Sequence, residues 1–105
     1  MVSQEDILKQ IKQSVHATDP GATLILYGSY ARGDYHDESD IDILVLLDKD
    51  RVTVSDRMRI AYPLYHLELE VDRHISPVFR ARHLWETKHT ITPFYKNVAR
   101  EGVTL

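Results

Sequence analysis

The chain has 105 residues, of which 43% are hydrophobic, and its formal net charge is -3 at pH 7. This length and apolar fraction predict a single small domain, residues 1–105, with one modest core. The sequence has no apolar run long enough for a membrane span, and its polar N-terminus is not typical of a signal peptide. The absence of cysteine excludes disulfides and thiolate metal sites, and we predict a cytoplasmic protein. The negative charge argues against a protein dedicated to binding long nucleic acids.

The first half of the sequence predicts two helices and two strands in alternation. The pair Ser3 and Asp6 forms a capping-box pattern, after which apolar residues recur at helical spacing. A short apolar run then precedes a Gly28-Ser29 turn, and a second apolar run follows a polar loop. The predicted elements are a helix over residues 4–17, a strand over 22–27, a short helix beginning in 30–33 and a strand over 40–47.

The second half predicts a long helix, a third strand and two shorter helices. Ser55 is the predicted cap of the long helix, whose apolar stripe runs from Ile60 to Val71, and Pro63 predicts a kink or split within it. The remaining predicted elements are a strand over residues 73–79, a helix over 82–88 and a helix over 93–101. The order α-β-α-β-α-β-α predicts an α/β or α+β fold built on a small mixed sheet flanked by helices.

Two aspartates, Asp40 and Asp42, stand at the start of the second predicted strand. Because strand side chains alternate, both carboxylates face the same side of the sheet, about 6.5 to 7 Å apart along the backbone. The opposite face carries Ile41, Ile43 and further apolar residues that can pack into the core. Two carboxylates this close repel each other, and a Mg²⁺ ion held by both would relieve the repulsion. The pattern therefore predicts a metal site, with plain surface charge as the alternative.

The Gly28-Ser29 turn precedes this strand and offers a complementary chemistry. Glycine allows the backbone to approach a ligand closely, and N–H groups at the start of a helix favour anions. The Ser29 hydroxyl and the Arg32 guanidinium are further candidate phosphate contacts. Since adjacent strands lie about 4.8 Å apart, the turn can hold phosphates above a metal bound by Asp40 and Asp42.

These two elements together resemble a known family. The segments GSYARG and SDIDILV, within residues 28–45, resemble the signature G-S-x-A-R-G … S-D-x-D-[IL]-x-V of the nucleotidyltransferase superfamily that includes DNA polymerase beta. In length and layout the chain resembles the minimal nucleotidyltransferases of that superfamily. The resemblance implies the nucleotidyltransferase fold and transfer of a nucleoside monophosphate, with ATP as the donor, to a hydroxyl group.

The resemblance also implies roles for individual residues. Gly28 and Ser29 would hold the outer phosphates, Asp40 and Asp42 would bind Mg²⁺, and two metal ions about 3.5 to 4 Å apart would act on the reaction. Arg32 would offset charge on the triphosphate, or it would have an interior structural role.

The family's third catalytic carboxylate lies on a neighbouring strand, and the best match for it here is Asp72. Alternatively, Asp72 lies in the turn before the third strand, which would put His74 or Ser76 at the catalytic position. Glu70 is a fallback, although the pattern favours the end of the long helix for it.

Members of the minimal group often pair with a helical HEPN-type toxin, and can adenylylate it. The resemblance therefore implies an antitoxin of such a pair, in a homo- or hetero-oligomer, whose acceptor hydroxyl arrives on the partner. The alternative is a non-catalytic module that binds nucleotide or blocks its partner by contact. Adenylylation of a small molecule is a third possibility, which the lack of an acceptor-binding domain disfavours.

Two other groups of residues have simpler interpretations. The six histidines lack metal-ligand spacing, so the sequence does not predict a histidine zinc site. Trp85, Phe94 and Tyr95 near the C-terminus favour core packing over stacking on a nucleotide base.

Overall fold

A computed structural model describes residues 3–36 and 38–105 of the chain. Within these residues, the helices and strands alternate as the sequence predicts, and a short fourth strand is added at the C-terminus. The elements are α1 Gln4–Thr18, β1 Thr23–Tyr27, α2 Ser29–Arg32, β2 Ile41–Leu47, α3 Val54–Val71, β3 Ile75–Ala81, α4 Arg82–Thr87, α5 Pro93–Glu101 and β4 Val103–Thr104. No helix among them is long and apolar enough to cross a membrane.

The four strands form one mixed sheet in the order β3-β2-β1-β4, which confirms the predicted fold class. Strand β1 is antiparallel to both β2 and β4, whereas β2 and β3 are parallel. The parallel pair requires a crossover connection, and α3 provides it. Two register pairs matter for function, because Tyr27 lies opposite Asp42 and Ser76 lies beside Asp42 on the other side.

The larger core lies on one face of the sheet, beneath α1 and α3. From β2 it takes Ile41 and Ile43 with the following alternate residues, all fully buried, which confirms the predicted apolar face of this strand. The helices contribute apolar residues at helical spacing, among them Ile11 of α1 and Leu64 of α3. Packing of these amphipathic faces, rather than intrinsic helix propensity, stabilises both helices.

A second, smaller core covers the opposite face of the sheet. There Leu44 and Leu46 of β2 pack against Trp85 of α4 and Val98 of α5. The aromatic residues near the C-terminus pack into this core, as predicted: the Trp85 side chain is 5% exposed, and Phe94 and Tyr95 pack against the cluster. On this face of β2, only the end that carries Asp42 stays accessible to solvent.

The N-cap of the long helix α3 differs from the prediction, and of the kink or split predicted at Pro63 the split is absent. Its N-cap is Thr53 rather than Ser55, because the Thr53 Oγ1 accepts from the Asp56 N–H and the Asp56 carboxylate accepts from the Thr53 N–H. Pro63 does not split the helix, which is continuous from Val54 to Val71. Proline removes one backbone donor, and the buried side chains of Ile60 and Leu64 hold the helix in place on both sides of it.

The Asp56 carboxylate should make a pH-dependent contribution to stability. It accepts a hydrogen bond from Lys49 Nζ at 2.7 Å and also bonds to Thr53, and these contacts hold its pKa well below the usual range. A lowered pKa stabilises the fold at pH values above the unfolded pKa of about 3.9, and this contribution is lost as the pH falls below it. We expect Asp56→Asn to lower the melting temperature at pH 7, and the difference from wild type to shrink below about pH 4. Thermal unfolding monitored by circular dichroism measures this, with the exposed Asp50→Asn as control; an equal loss at all pH values would contradict the assignment.

Candidate active site

Asp40 and Asp42 lie at the N-terminal end of β2. Asp40 immediately precedes β2 and its side chain is 53% exposed, whereas Asp42 is the second residue of the strand and is partly buried. Burial raises the pKa of Asp42, and the negative charge of Asp40 raises it further, while His74 and Arg32 oppose the shift. The two carboxylates are thus close enough to repel each other, and the repulsion favours binding of a cation between them.

Gly28 brings the turn after β1 into contact with Asp42. It follows Tyr27, the register partner of Asp42, and its φ of 73° lies in the region that disfavours L side chains. A Cβ atom at this position would come within 2.5 Å of Asp42 Oδ2. The absence of a side chain at residue 28 therefore allows the turn to lie directly against the carboxylate. The next residue, Ser29, begins α2, whose Ala31 and Arg32 N–H groups donate to Gly28 O.

Arg32 lies on the surface near this turn, not in the interior. Its side chain is 47% exposed; Nε donates to Asp34 at 3.1 Å and Nη1 donates to both oxygens of Glu101 at 3.3 Å. The guanidinium group is therefore held between two carboxylates. For Arg32 to bind a phosphate, at least one of these carboxylates would have to give way to it.

Glu101, the last residue of α5, is a site residue that the sequence did not reveal. Besides its bonds to Arg32, its Oε1 accepts from the Gly28 N–H at 3.2 Å, and its side chain is only 16% exposed. This contact joins residues 73 positions apart in the chain. It ties the end of α5 to the turn, and a local sequence pattern contains no signal for such a long-range bond.

Asp72, the predicted third carboxylate, does not lie on β3. It is the C-cap of α3, in the left-handed conformation with φ 54° and ψ 45°, and its N–H donates to Glu68 O. Aspartate tolerates this conformation better than most residues. Two further residues separate it from the first paired residue of β3, Ile75. Asp72 thus lies in the turn before the strand, and Glu70 lies on the helix, as its pattern favours.

His74 and Ser76 occupy the places beside the two aspartates. Ser76 is the register partner of Asp42 on β3, and His74 Nδ1 lies 3.2 Å from Asp40 Oδ1. The strand position level with Asp42 therefore holds a hydroxyl group instead of a carboxylate. Across residues 3–36 and 38–105, no cluster of three or more His, Cys, Asp or Glu side chains is arranged to hold a metal ion.

An aromatic wall borders the site on the side of β1. The Tyr27 ring contacts Phe94 edge-on, with 5.2 Å between centroids, and the Arg80 guanidinium lies 5.9 Å from the centre of the same Phe94 ring. Burial raises the pKa of Tyr27, and the charge of Asp42 raises it further. Tyr27 is therefore a neutral hydroxyl group next to the acidic pair, and Arg80 places a positive charge near it.

The donor set fits a hard divalent cation. Mg²⁺ takes oxygen ligands and is usually held in proteins by one or two carboxylates, with substrate phosphates and water completing its shell. Asp40 and Asp42 provide two such carboxylates, and the Gly28 turn lies directly against one of them. The arrangement suits a metal-bound polyphosphate better than a metal ion held by protein ligands alone.

Comparison with known families identifies the chain. The model of the nucleotidyltransferase domain family matches residues 8–101, which is most of the sequence. The chain belongs to this family. It is therefore a transferase, and the resemblance of its motifs to those of the nucleotidyltransferases is confirmed.

Curated relatives support the same assignment. A candidate protein adenylyltransferase of Methanocaldococcus jannaschii, MJ0141, is 37% identical over 101 residues, which cover 93% of this chain and 94% of the relative. A second candidate protein adenylyltransferase of that organism, MJ0604, is 31% identical and is covered over 99% of both chains. The chain thus matches these relatives over nearly their whole length.

Solved structures share the fold at lower sequence identity. A toxin-antitoxin crystal structure with AMP-PNP matches with a TM-score of 0.64 and 23% identity, covering 97% of this chain and 72% of the other. The structure of a candidate minimal nucleotidyltransferase matches with a TM-score of 0.62 and 22% identity, covering 96% and 94% of the two chains. At these identities the comparison establishes a common fold.

Proposed function

We propose that the protein is a Mg²⁺-dependent nucleotidyltransferase that transfers AMP from ATP to a hydroxyl group on a partner macromolecule. The observation that carries this proposal is the direct contact of the Gly28 turn with Asp42, whose carboxylate also lies within the electrostatic influence of Asp40. An acidic pair beneath a glycine turn can hold a triphosphate and its metal ion at adjacent points. Binding in this way fixes the reacting phosphate relative to the protein.

In the proposed site, each residue has a distinct task. Asp40 and Asp42 hold Mg²⁺, which would neutralise developing charge on the phosphate oxygens. The backbone at Gly28 and the hydroxyl of Ser29 hold the outer phosphates. Arg32 is close enough to the turn to contact them after partial release from Asp34 or Glu101. These roles are carried over from the nucleotidyltransferase motif, and the chemistry of oxygen ligands supports the two carboxylates as Mg²⁺ ligands.

The acceptor side of the site is the weaker part of the proposed machinery. The strand position beside Asp42 carries Ser76, and Asp72 is removed from it by the turn. This arrangement supplies two carboxylates for metal binding, without a third on β3 to take the proton of the acceptor hydroxyl. We therefore expect slow turnover. His74, which lies 3.2 Å from Asp40, is placed to assist in taking the proton of the acceptor hydroxyl.

We also propose that the acceptor is a partner protein of the HEPN type and that this chain is the antitoxin of the pair. Two findings support this: the curated relatives are named as candidate protein adenylyltransferases, and two structural neighbours are toxin-antitoxin complexes. The neighbour crystallised with AMP-PNP supports ATP as the donor. The proposed reaction uses ATP and suits the cytoplasm, as does a chain without cysteine.

Labelled ATP tests the proposed reaction. The protein, Mg²⁺ and a co-expressed HEPN-type partner are incubated with ATP labelled at either the α- or the γ-phosphate. We expect label on the partner from α-labelled ATP only, since nucleotidyl transfer releases the β- and γ-phosphates as pyrophosphate. Label from γ-labelled ATP would indicate phosphoryl transfer and contradict the proposal.

A second candidate function is a non-catalytic nucleotide-binding antitoxin that blocks its partner by contact. The hydroxyl of Ser76 in place of a third carboxylate favours it. In that case nucleotide binds and the partner is inhibited, but no label is transferred. The labelling experiment therefore separates the two functions.

The Glu101 contacts predict an effect on nucleotide use. Glu101→Ala removes the acceptor for the Gly28 N–H, so the turn loses its tie to α5, whereas Arg32 stays bonded to Asp34 and gains little freedom to reach the phosphates. We expect the KM for ATP to rise by roughly 5- to 30-fold, equivalent to about 1–2 kcal/mol for one lost hydrogen-bond partner. Glu101→Gln, which keeps an acceptor oxygen, should have a smaller effect. Steady-state kinetics measures this, with the exposed Glu86→Ala as control; an unchanged KM in Glu101→Ala would show that the tie has no role in binding.

A further inference from the structure

Helix α3 has two apolar faces, and only one of them is buried in the core. The buried face consists of Ile60, Leu64 and Leu67. On the other side of the helix lie five large apolar side chains that are each more than half exposed: Val54, Met58, Tyr62, Tyr65 and Leu69. At 100° per residue these five occupy an arc of about 80°, nearly opposite the buried face, and extend about 22 Å along the helix. We refer to them as the α3 stripe.

An exposed stripe of this size marks an interaction surface. Monomeric proteins rarely expose continuous apolar patches of several hundred Å², and the α3 stripe offers roughly 500–700 Å², near the about 800 Å² per partner of a standard interface. A solvated helix face would carry charged residues at these positions.

The α3 stripe is symmetric about its own midpoint, which lies between Ala61 and Tyr62. Val54 and Leu69 are equally far from that point, and so are Met58 and Tyr65. If a second copy of α3 packs antiparallel about a two-fold axis at this point, Val54 of each copy faces Leu69 of the other. In the same way, Met58 of each copy faces Tyr65 of the other. A two-fold interface requires this kind of self-complementary surface.

The distribution of charges along α3 favours the same antiparallel arrangement. Exposed arginines, Arg57 and Arg59, lie in its N-terminal half, where Arg59 is also paired with Asp56, and exposed acidic residues, Glu70 and Asp72, lie at its C-terminal end. Antiparallel packing places the basic half of each helix beside the acidic half of its mate, and it also opposes the two helix dipoles. A parallel arrangement would instead bring like charges together.

The shape of the surface is compatible with the same arrangement. A shallow groove runs beside the N-terminal half of the stripe and is lined by Val54, Met58, Tyr62 and Pro63. The C-terminal half presents the protruding side chains of Tyr65 and Leu69, which are 56% and 66% exposed. In the antiparallel arrangement, these side chains of one copy lie over the groove of the other.

We propose that the protein forms a two-fold homodimer in which the α3 stripes of two copies pack antiparallel. This proposal rests on α3 alone and does not depend on the nucleotide chemistry of the active site. Tyr65 also lines the groove that contains His74 and Ser76, so the dimer would place the second copy beside the acceptor side of the active site.

Sedimentation equilibrium of the full chain tests whether the dimer forms. We expect the mass to rise from 12.2 kDa toward twice that value over roughly 5 to 500 µM, as a modest interface implies. Met58→Glu and Tyr62→Glu should remain monomeric, with unchanged circular dichroism because both side chains are exposed. The control Ile91→Glu replaces an 81% exposed apolar residue elsewhere and should dimerise like wild type. A monomer at all concentrations, or a dimer that Met58→Glu leaves intact, overturns the proposal.

Cysteine cross-linking tests the orientation, since the chain has no cysteine of its own. Mixed Val54→Cys and Leu69→Cys chains should form a disulfide-linked dimer on mild oxidation, whereas Val54→Cys alone should not, because its two copies would lie about 22 Å apart. Cross-linking of Val54→Cys with itself would indicate parallel helices and overturn the antiparallel arrangement. If wild type itself stays monomeric and the stripe variants lose HEPN-partner binding, the surface belongs to that partner and the homodimer is wrong.

Discussion

Asp42→Asn is expected to reduce nucleotidyl transfer by roughly 10²- to 10³-fold while leaving the protein folded. Asparagine preserves the shape of the side chain but removes the charge that the proposed metal site needs. The same change should raise the melting temperature slightly, because the raised pKa of Asp42 means that its ionised form is disfavoured in the native state at pH 7. Transfer of α-labelled nucleotide and thermal unfolding, measured on the same preparation without and with Mg²⁺, test both effects.

The sign of the stability change provides an independent check on the acidic pair. As the pH falls, wild-type Asp42 becomes protonated and its penalty disappears, so the advantage of Asp42→Asn should vanish at acidic pH. Asp40→Asn should also reduce transfer strongly, and it should lower the pKa of Asp42 by removing the neighbouring negative charge. The exposed Asp50→Asn is the matched control and should change neither quantity. Full activity in Asp42→Asn would show that the Asp42 carboxylate has no part in the reaction.

Gly28→Ala is expected to abolish activity and to destabilise the fold by roughly 2–4 kcal/mol. The substitution introduces a methyl group at a residue with positive φ, 2.5 Å from the Asp42 carboxylate, so either the turn or Asp42 must move. Because both are parts of the proposed site, displacement of either separates the phosphate-binding turn from the metal-binding pair. Denaturant unfolding gives the free energy, and the labelling assay gives the activity.

Gly33→Ala is a partial control for this prediction, because Gly33 lies in the αL region with ψ 7°, where an L side chain is less strained than at Gly28 with ψ -155°. Gly33 also has a positive φ, 83°, but nothing lies within 4 Å of the position that its Cβ would take. This variant should therefore show the backbone strain alone, about 1 kcal/mol, and retain most of its activity. If the two variants lose equal stability and activity, the contact between the turn and Asp42 is not what matters at Gly28.

Local patterns in the sequence were enough to predict most of the fold. Strand β2 was predicted because Ile41, Ile43 and their alternate neighbours follow a period of two, and the structure buries that face completely. The sequence does not show that the opposite face of β2 is buried too. Leu44 and Leu46 on that face are buried because α4 and α5 pack over them. Strand β4 is only two residues long and forms by pairing with β1, so its own residues carry no strong signal.

The candidate site was predictable where its residues are neighbours in sequence or on paired strands. The order of β1, the Gly28 turn and β2 was sufficient to place the turn beside Asp42. The prediction of the third carboxylate depended on the length of the turn between α3 and β3. Asp72 is the left-handed cap of α3, and β3 begins only at Ile75. Glu101 was missed because its contact with Gly28 arises only when α5 packs against the sheet.

Calorimetric titration of a non-hydrolysable ATP analogue tests the central claim that Asp40, Asp42 and the Gly28 turn bind a magnesium-nucleotide complex. The titration of wild type should give a saturable one-site binding isotherm only when Mg²⁺ is present. The Asp40→Asn and Asp42→Asn variants should show a dissociation constant at least about 10-fold higher, equivalent to about 1.4 kcal/mol. Binding of equal affinity in wild type and both variants, or binding that does not require Mg²⁺, would contradict the account.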